Sequence, residues 1–267
     1  MVRILSRNHS IVQFDVREPS DPDQRSLGPI IIGSINDPQA VTQALDGVDT
    51  IIHLAAFPGD IPDHYKLVET NVLGTFNLLD LAGPQKNIEH FIYISSICWH
   101  GIAEDPLADH MPRFLPFDES HPSLATRYYS CSKVQGEFWC QNYVRRFRKP
   151  VVAIRPSWIV PLAQEPLQTA KPNHPYSNLC DYVGTSDLID GILKAVDYYP
   201  PDGFDRFLFH ADDQVSTRPT LDLAREYFPG VPVDTEKLNA CDGFGAFVDC
   251  FHAKERLHWQ PRYRCKR

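Results

Sequence analysis

The 267-residue chain contains no run of 18 or more apolar residues, which excludes a membrane-spanning helix and a membrane partner as expectations. Its opening, Met1-Val2-Arg3-Ile4-Leu5-Ser6-Arg7, is too short in apolar residues for a secretory signal. Paired cysteines are missing as well. The seven cysteines (98, 131, 140, 180, 241, 250 and 265) form no CxxC motif, and an odd, scattered set reads as reduced thiols in the cytoplasm. None of the eleven histidines falls in an HExxH or similar ligand spacing, so no metal site is expected. Positive charge is also short: a net charge of -8 argues against a nucleic-acid partner, which calls for a basic stripe. What remains is a soluble, mildly acidic globular chain, 43% apolar, with enough length for one core and a small lobe.

Prolines are abundant, 23 in all, and crowd residues 106–122 and 156–175, marking long irregular segments. Between them the pattern alternates. A short helical tail precedes an extended run, Ile11-Val12-Gln13-Phe14-Asp15, and Ile30-Ile31-Ile32 gives a second strand closed by Gly33. A helix is expected over 37–45, where Asp37-Pro38 supplies the cap and the first-turn proline. Residues 49–56 form a nearly all-apolar strand, 61–81 one long helix, 91–96 another buried strand, 128–147 a helix and 151–156 a strand. Strands alternating with helices predict an α/β fold with a doubly wound parallel sheet. Beyond residue 157 the rhythm breaks, with helices expected over 186–199 and 220–228 and a short strand over 207–209. The expected division is a core over 1–160 and a smaller substrate lobe over 161–267, with a helix around 182–199 returning to the core. In such folds ligands sit at the carboxyl ends of the strands.

Two strand-end features carry chemistry. Tyr129-Ser130-Cys131-Ser132-Lys133 opens a helix with a YxxxK spacing that puts both side chains on one face. An ammonium beside a phenol favours the phenolate and is expected to lower the tyrosine pKa. About 33 residues upstream, Ser95-Ser96 closes a buried strand where a hydroxyl can bond a substrate oxygen. Each part alone reads equally as packing: a tyrosine against a lysine stem, or a serine bonded to its own loop. Together, in this order, they resemble an extended short-chain dehydrogenase/reductase of the NAD-dependent epimerase/dehydratase family.

Further segments resemble that family in sequence order: His53-Leu54-Ala55-Ala56, Asn71-Val72-Leu73-Gly74-Thr75-Phe76-Asn77, Leu115-Pro116-Phe117-Asp118-Glu119, Arg155-Pro156-Ser157 and Leu257-His258-Trp259-Gln260-Pro261. The resemblance implies a Rossmann-like fold, NAD as cofactor, and an oxidoreductase, epimerase or dehydratase acting on a hydroxyl or carbonyl of a small molecule. It implies that Tyr129 is the acid/base, that Lys133 tunes it and holds the nicotinamide ribose, and that Ser96 orients the reacting oxygen. The cofactor would be lined by Ser34, Ile35, Leu54, Ala55, Ala56, Asn71 and Pro156 together with Tyr129 and Lys133. Asp15, at a strand end, matches the acid that binds the adenosine ribose hydroxyls and favours NAD over NADP, a preference weakened by nearby Arg17.

One part of the family pattern has no counterpart. The first glycine is Gly28, outside any strand-turn-helix setting, so the first strand and the glycine-rich turn that receives the pyrophosphate are expected to be missing. Gly33 is followed by Ser34 where the family has an acid. Three readings stay open: a truncated gene of an ordinary NAD enzyme, a cofactor-deficient member doing isomerisation or dehydration, or a catalytically silent binding subunit. The loops 98–127 and 157–181 are expected to cover the substrate, with Trp99, His100, Arg127, Trp158 and Tyr176 as linings. Few basic residues there favour a small, weakly charged compound over a nucleotide diphosphate. A homodimer through helices 61–81 and 128–147 is expected on an apolar stripe of Phe138, Trp139, Tyr143 and Val144, which reads equally as the core side of the helix.

Overall fold

A computed structural model describes residues 1–102, 110–165 and 180–267. Its strands are β1 (Gln13–Asp15), β2 (Ile30–Ile32), β3 (Thr50–His53), β4 (His90–Ile94), β5 (Val151–Pro156), β6 (Ile159–Val160), β7 (Val183–Gly184) and β8 (Phe204–Phe209). β3, β4, β5 and β8 form a four-stranded sheet in that order, and β1–β2 and β6–β7 are two-stranded. β1 runs parallel to β2, β3 to β4 and β6 to β7. Successive bonds from Phe91 N to Pro150 O and from Ser95 N to Ile154 O climb β4 and the β5 chain together, the parallel pattern. The fold is therefore α/β and parallel, as expected, and β5 is buried throughout its length.

The chain forms two compact units, each discontinuous in sequence: Met1–Ile94, Gln135–Val152 and Tyr199–Asp205 make one, and Ser95–Val134, Ala153–Tyr198 and Arg206–Arg267 the other.

In the first unit the helix Pro38–Ala44 begins as its sequence requires. The Asp37 side chain accepts from the Gln39 and Ala40 amides, and Pro38 occupies the first turn, where no amide is needed. The segment expected as one helix over 61–81 is instead interrupted. His64–Val68 and Gly74–Ala82 are α-helical, and Glu69–Leu73 between them is a π turn. The Thr75 hydroxyl donates to the Asn71 carbonyl at 2.7 Å, giving that carbonyl a side-chain partner in the widened turn. A helical pattern shows amphipathicity but not this one-residue insertion.

The helix Tyr128–Phe147 has the expected bounds. In its first-unit part Tyr143 faces inward, its ring 5.9 Å from that of Phe91 on β4. Phe138 points outward at 56% exposure, so the expected apolar stripe is shared between two faces. Gly136 makes the close approach to the sheet possible, because a Cβ there would lie 2.0 Å from the Tyr93 hydroxyl oxygen. Tyr93 is 2% exposed and cannot swing into solvent. Gly136→Ala is therefore expected to lower stability by about 1–3 kcal/mol, as overpacking does. Adding Tyr93→Phe, which removes the clashing oxygen, should recover part of that loss in thermal or urea unfolding.

Candidate active site

All three residues of the expected Ser-Tyr-Lys set lie in the second unit. Ser96 follows β4 in extended conformation, and its Oγ accepts from the Cys98 amide at 3.2 Å, capping the 3-10 turn Ile97–His100. Tyr129 and Lys133 sit in the first turns of the helix Tyr128–Phe147, one turn apart. Tyr129 is hydrogen-bonded to Ser96, and the Lys133 ammonium stands 5.7 Å from the centre of the Tyr129 ring, over its face. Lys133 is only 4% exposed.

One backbone and one side-chain hydrogen bond hold the serine turn against the approach to the tyrosine. Leu124 N donates to the His100 carbonyl at 2.8 Å, and the Ser123 hydroxyl to the Trp99 carbonyl at 2.7 Å. Gly101, at φ +66, permits both. A Cβ there would fall 2.3 Å from the Ala125 amide nitrogen, a backbone atom that cannot give way.

The electrostatics depart from the expected lowering of the tyrosine pKa. Burial pushes the Tyr129 phenol up to about 12, the Cys98 thiol adds to the rise, and the hydrogen bond with Ser96 opposes it. Desolvation of the phenolate is the largest cause, and at neutral pH Tyr129 holds its proton. Cys98, two residues beyond Ser96, is thus a neighbour of the phenol that motif reading did not single out; only its spacing from Ser96 hinted at it.

Around this centre, Arg155 near the end of β5 is fully buried. Its guanidinium lies 3.5 Å from the centre of the Trp99 ring, and Nη1 donates to His100 Nε2 at 3.1 Å. Burial and the Arg155 charge hold His100 well below the usual histidine range. His100 is therefore a buried, neutral partner of Arg155 and not an exposed pocket wall. Trp99 is half-buried, Arg127 and Trp158 are exposed, and Tyr176 lies outside the described residues. Pro156, the last residue of β5, is buried.

The remaining expected cofactor residues lie in the first unit. Asp15 ends β1 exposed, its carboxylate accepting from the Arg17 amide at 3.1 Å. Ser34 is exposed, while Ile35 is buried and its carbonyl accepts from the Asn77 side chain at 2.6 Å. Leu54 and Ala55 are exposed just after β3, and Ala56 is half-buried. Asn71 braces the chain beyond them: its carboxamide accepts from the Phe57 amide at 2.8 Å and donates to the Phe57 carbonyl at 3.1 Å. Exposed apolar groups stand where β1, β2 and β3 end: Val16, Ile32 and Leu54. This surface and the Asp15 carboxylate have the character that the adenosine end of a dinucleotide needs. Among the described residues no cluster of three or more metal-ligating side chains occurs.

The family model for the NAD-dependent epimerase/dehydratase family matches residues 1–171. The chain belongs to the NAD-dependent epimerase/dehydratase family. Among curated relatives of this epimerase/dehydratase chain, the L-arabinose 1-dehydrogenase (NAD(P)(+)) of Haloferax volcanii is 28% identical over 165 residues, 60% of this chain and 61% of that protein. The N-acetyl-alpha-D-glucosaminyl-diphospho-ditrans,octacis-undecaprenol 4-epimerase of Escherichia coli O157:H7 is 31% identical over 156 residues, 56% of this chain and 43% of that protein. The chain thus spans less than two thirds of the length of either. In fold it is similar to the UDP-glucuronic acid 4-epimerase of Bacillus cereus solved with NAD, with TM-score 0.70 and 18% identity over 98% of this chain and 89% of that one. A short-chain dehydrogenase/reductase of Agrobacterium tumefaciens with bound NAD gives TM-score 0.70 and 21% identity, covering 98% and 88%. No helix among the described residues is long and apolar enough to cross a membrane.

Glu119 is one site-flanking residue whose state the sequence did not reveal. Its Oε1 accepts from the Leu208 amide of β8 at 2.7 Å, and burial raises its pKa to about 7, with Asp118 adding to the rise and His252 opposing it. A carboxyl raised in the folded state stabilises the fold below its unfolded value of about 4.5, and that contribution is lost as pH climbs toward 7. Thermal unfolding between roughly pH 5 and pH 8 should show this fall. Glu119→Gln, which keeps an acceptor for Leu208, should flatten the profile.

Proposed function

We propose that the chain is an NAD-dependent oxidoreductase or epimerase acting on a hydroxyl or carbonyl of a sugar-like small molecule through Ser96, Tyr129 and Lys133. The observation that carries this reading is the hydrogen-bonded Ser96–Tyr129 pair with a nearly buried lysine over the ring. The named activities of the two curated relatives, one on L-arabinose and one on a lipid-linked amino sugar, support a sugar substrate.

In the reducing direction the protonated Tyr129 hands its proton to the substrate carbonyl oxygen while the Ser96 hydroxyl bonds the same oxygen. Lys133, charged and screened from water, stabilises the phenolate left behind. A bound nicotinamide supplies or accepts the hydride. Asp15 favours an unphosphorylated adenosine ribose, hence NAD over NADP.

A second reading is favoured by one observation. The first glycine of the chain, Gly28, is spent on a close passage: a Cβ there would lie 2.0 Å from the Ile11 carbonyl oxygen. On that reading the same side chains perform isomerisation or dehydration without the cofactor, or serve a silent binding subunit. Calorimetric titration with NAD, followed by nicotinamide absorbance during turnover of aldoses, separates the two. The oxidoreductase reading expects NAD binding and a loss of about 100- to 10,000-fold in turnover for Tyr129→Phe. A folded chain that binds no NAD overturns it.

The chain is also proposed to pair with a second copy through the first-unit helices. Tyr65, Leu73, Phe76 and Phe138 are exposed there, Tyr65 at 91%, and Trp139 joins Phe76 and Phe138 edge to face. Light scattering should report a dimer that Phe138→Asp converts to monomer; a monomeric wild-type protein would refute the pairing.

A further inference from the structure

A continuous chain of hydrogen bonds lies behind the end of β3, and no step proposed above uses it. His53 Nε2 stands 2.9 Å from the Thr75 hydroxyl oxygen, and that hydroxyl donates to the Asn71 carbonyl at 2.7 Å. The Asn71 carboxamide in turn holds the main chain of Phe57, accepting from its amide at 2.8 Å and donating to its carbonyl at 3.1 Å. His53, Asn71 and Thr75 are all buried, and all four residues belong to the first unit.

Chemistry fixes the direction of each bond. A carbonyl can only accept, so the one proton of the Thr75 hydroxyl goes to Asn71, and the bond to His53 has to use the imidazole proton. His53 therefore carries hydrogen on Nε2. Asn71 lies in the π turn Glu69–Leu73, and Thr75 lies at the start of the helix Gly74–Ala82 that continues it. One stretch of helix thus grips the chain at two points, His53 at the end of β3 and Phe57. Between them lie only Leu54, Ala55 and Ala56, of which the first two are exposed. An exposed bridge with both ends fixed from behind is preorganised, because its main-chain freedom is lost on folding, before anything binds.

Ligands of parallel α/β sheets sit at the carboxyl ends of the strands, and this bridge leaves β3 at that end. We propose that His53 and Thr75 are positioning residues for the dinucleotide, acting through Asn71 to hold residues 54–57 in the conformation that meets it. Neither side chain touches the ligand. The inference rests on the NAD reading above and adds that a buried network sets part of the affinity. The small side chains of Ala55 and Ala56 let a ligand approach the main chain closely, so it gains contacts without having to order the bridge. Loss of the Thr75 hydroxyl loosens both grips, the one on His53 directly and the one on Phe57 through Asn71.

The test titrates NAD into the full chain by calorimetry and follows backbone amide exchange by NMR. Thr75→Val keeps the branched shape and removes the hydroxyl; it should weaken NAD about tenfold, because binding must then remove freedom that folding no longer does. His53→Phe should act alike, and its ring suits the site, where Phe91 and Tyr93 lie 6.1 and 5.7 Å from the imidazole. Thr75→Ser, which restores the hydroxyl, should bind within about twofold of the wild type. Gly136→Ala, destabilising in the same unit but outside the network, should also stay within about twofold, which separates positioning from loss of stability. In the free wild-type chain the Phe57 amide should exchange slowly, and Thr75→Val should speed it. Wild-type affinity in Thr75→Val or His53→Phe, equal weakening in Gly136→Ala, or a freely exchanging Phe57 amide in the wild type would overturn the positioning role. The last of these needs no variant to fold. Unchanged affinity in the variants sinks this role alone, whereas a folded wild-type chain that binds no NAD sinks the oxidoreductase reading and this role with it.

Discussion

The contact between the His100 carbonyl and the Leu124 amide, made possible by a left-handed glycine at 101, brings the serine turn and the approach to the tyrosine helix together. Ser96 and Tyr129 come from segments more than thirty residues apart, and a hydrogen bond between their side chains demands placement to within a fraction of an ångström. Backbone bonds supply that precision better than side-chain packing, because neither partner has a rotamer to change. The same turn places Cys98 near the phenol and Trp99 on Arg155, so one bend of the chain sets the acid, its electrostatic neighbour and the adjoining aromatic wall.

Burial sets the chemical state of this region. A phenol taken out of water resists ionisation, and a lysine over its ring does not reverse that in the free protein. His100 is kept neutral by the same loss of solvent and by the guanidinium bonded to it, which leaves Arg155 as the fixed charge of the cluster. Tyr129 therefore holds its proton in the free protein.

Much of the architecture was legible from period and punctuation. The largely apolar runs at 49–56, 91–96 and 151–156 hold the strands Thr50–His53, His90–Ile94 and Val151–Pro156 because a covered parallel strand needs apolar residues on both faces. Asp37-Pro38 starts a helix because its side chain and ring suit an N-terminus. The π turn at Glu69–Leu73 was not legible, since a one-residue insertion leaves the helical pattern intact, nor were β6 and β7, which pair only with each other from well apart in sequence. The Tyr129–Lys133 pair was visible as a spacing, and Ser96 as a strand end. The stacking of Arg155 on Trp99 left no trace in the order of residues.

The sequence by itself determined the α/β parallel class and the family, and it offered the candidate residues for chemistry, because these follow from local periodicity and from short spacings on one helix or strand. The tertiary structure alone decided their states. How deeply Tyr129, Glu119 and His100 are buried, which side of the long helix Phe138 and Tyr143 occupy, and which polar atoms are left without partners are all properties of neighbours brought in from far along the chain. Desolvation depends on what surrounds a group in space, and no run of adjacent residues encodes it.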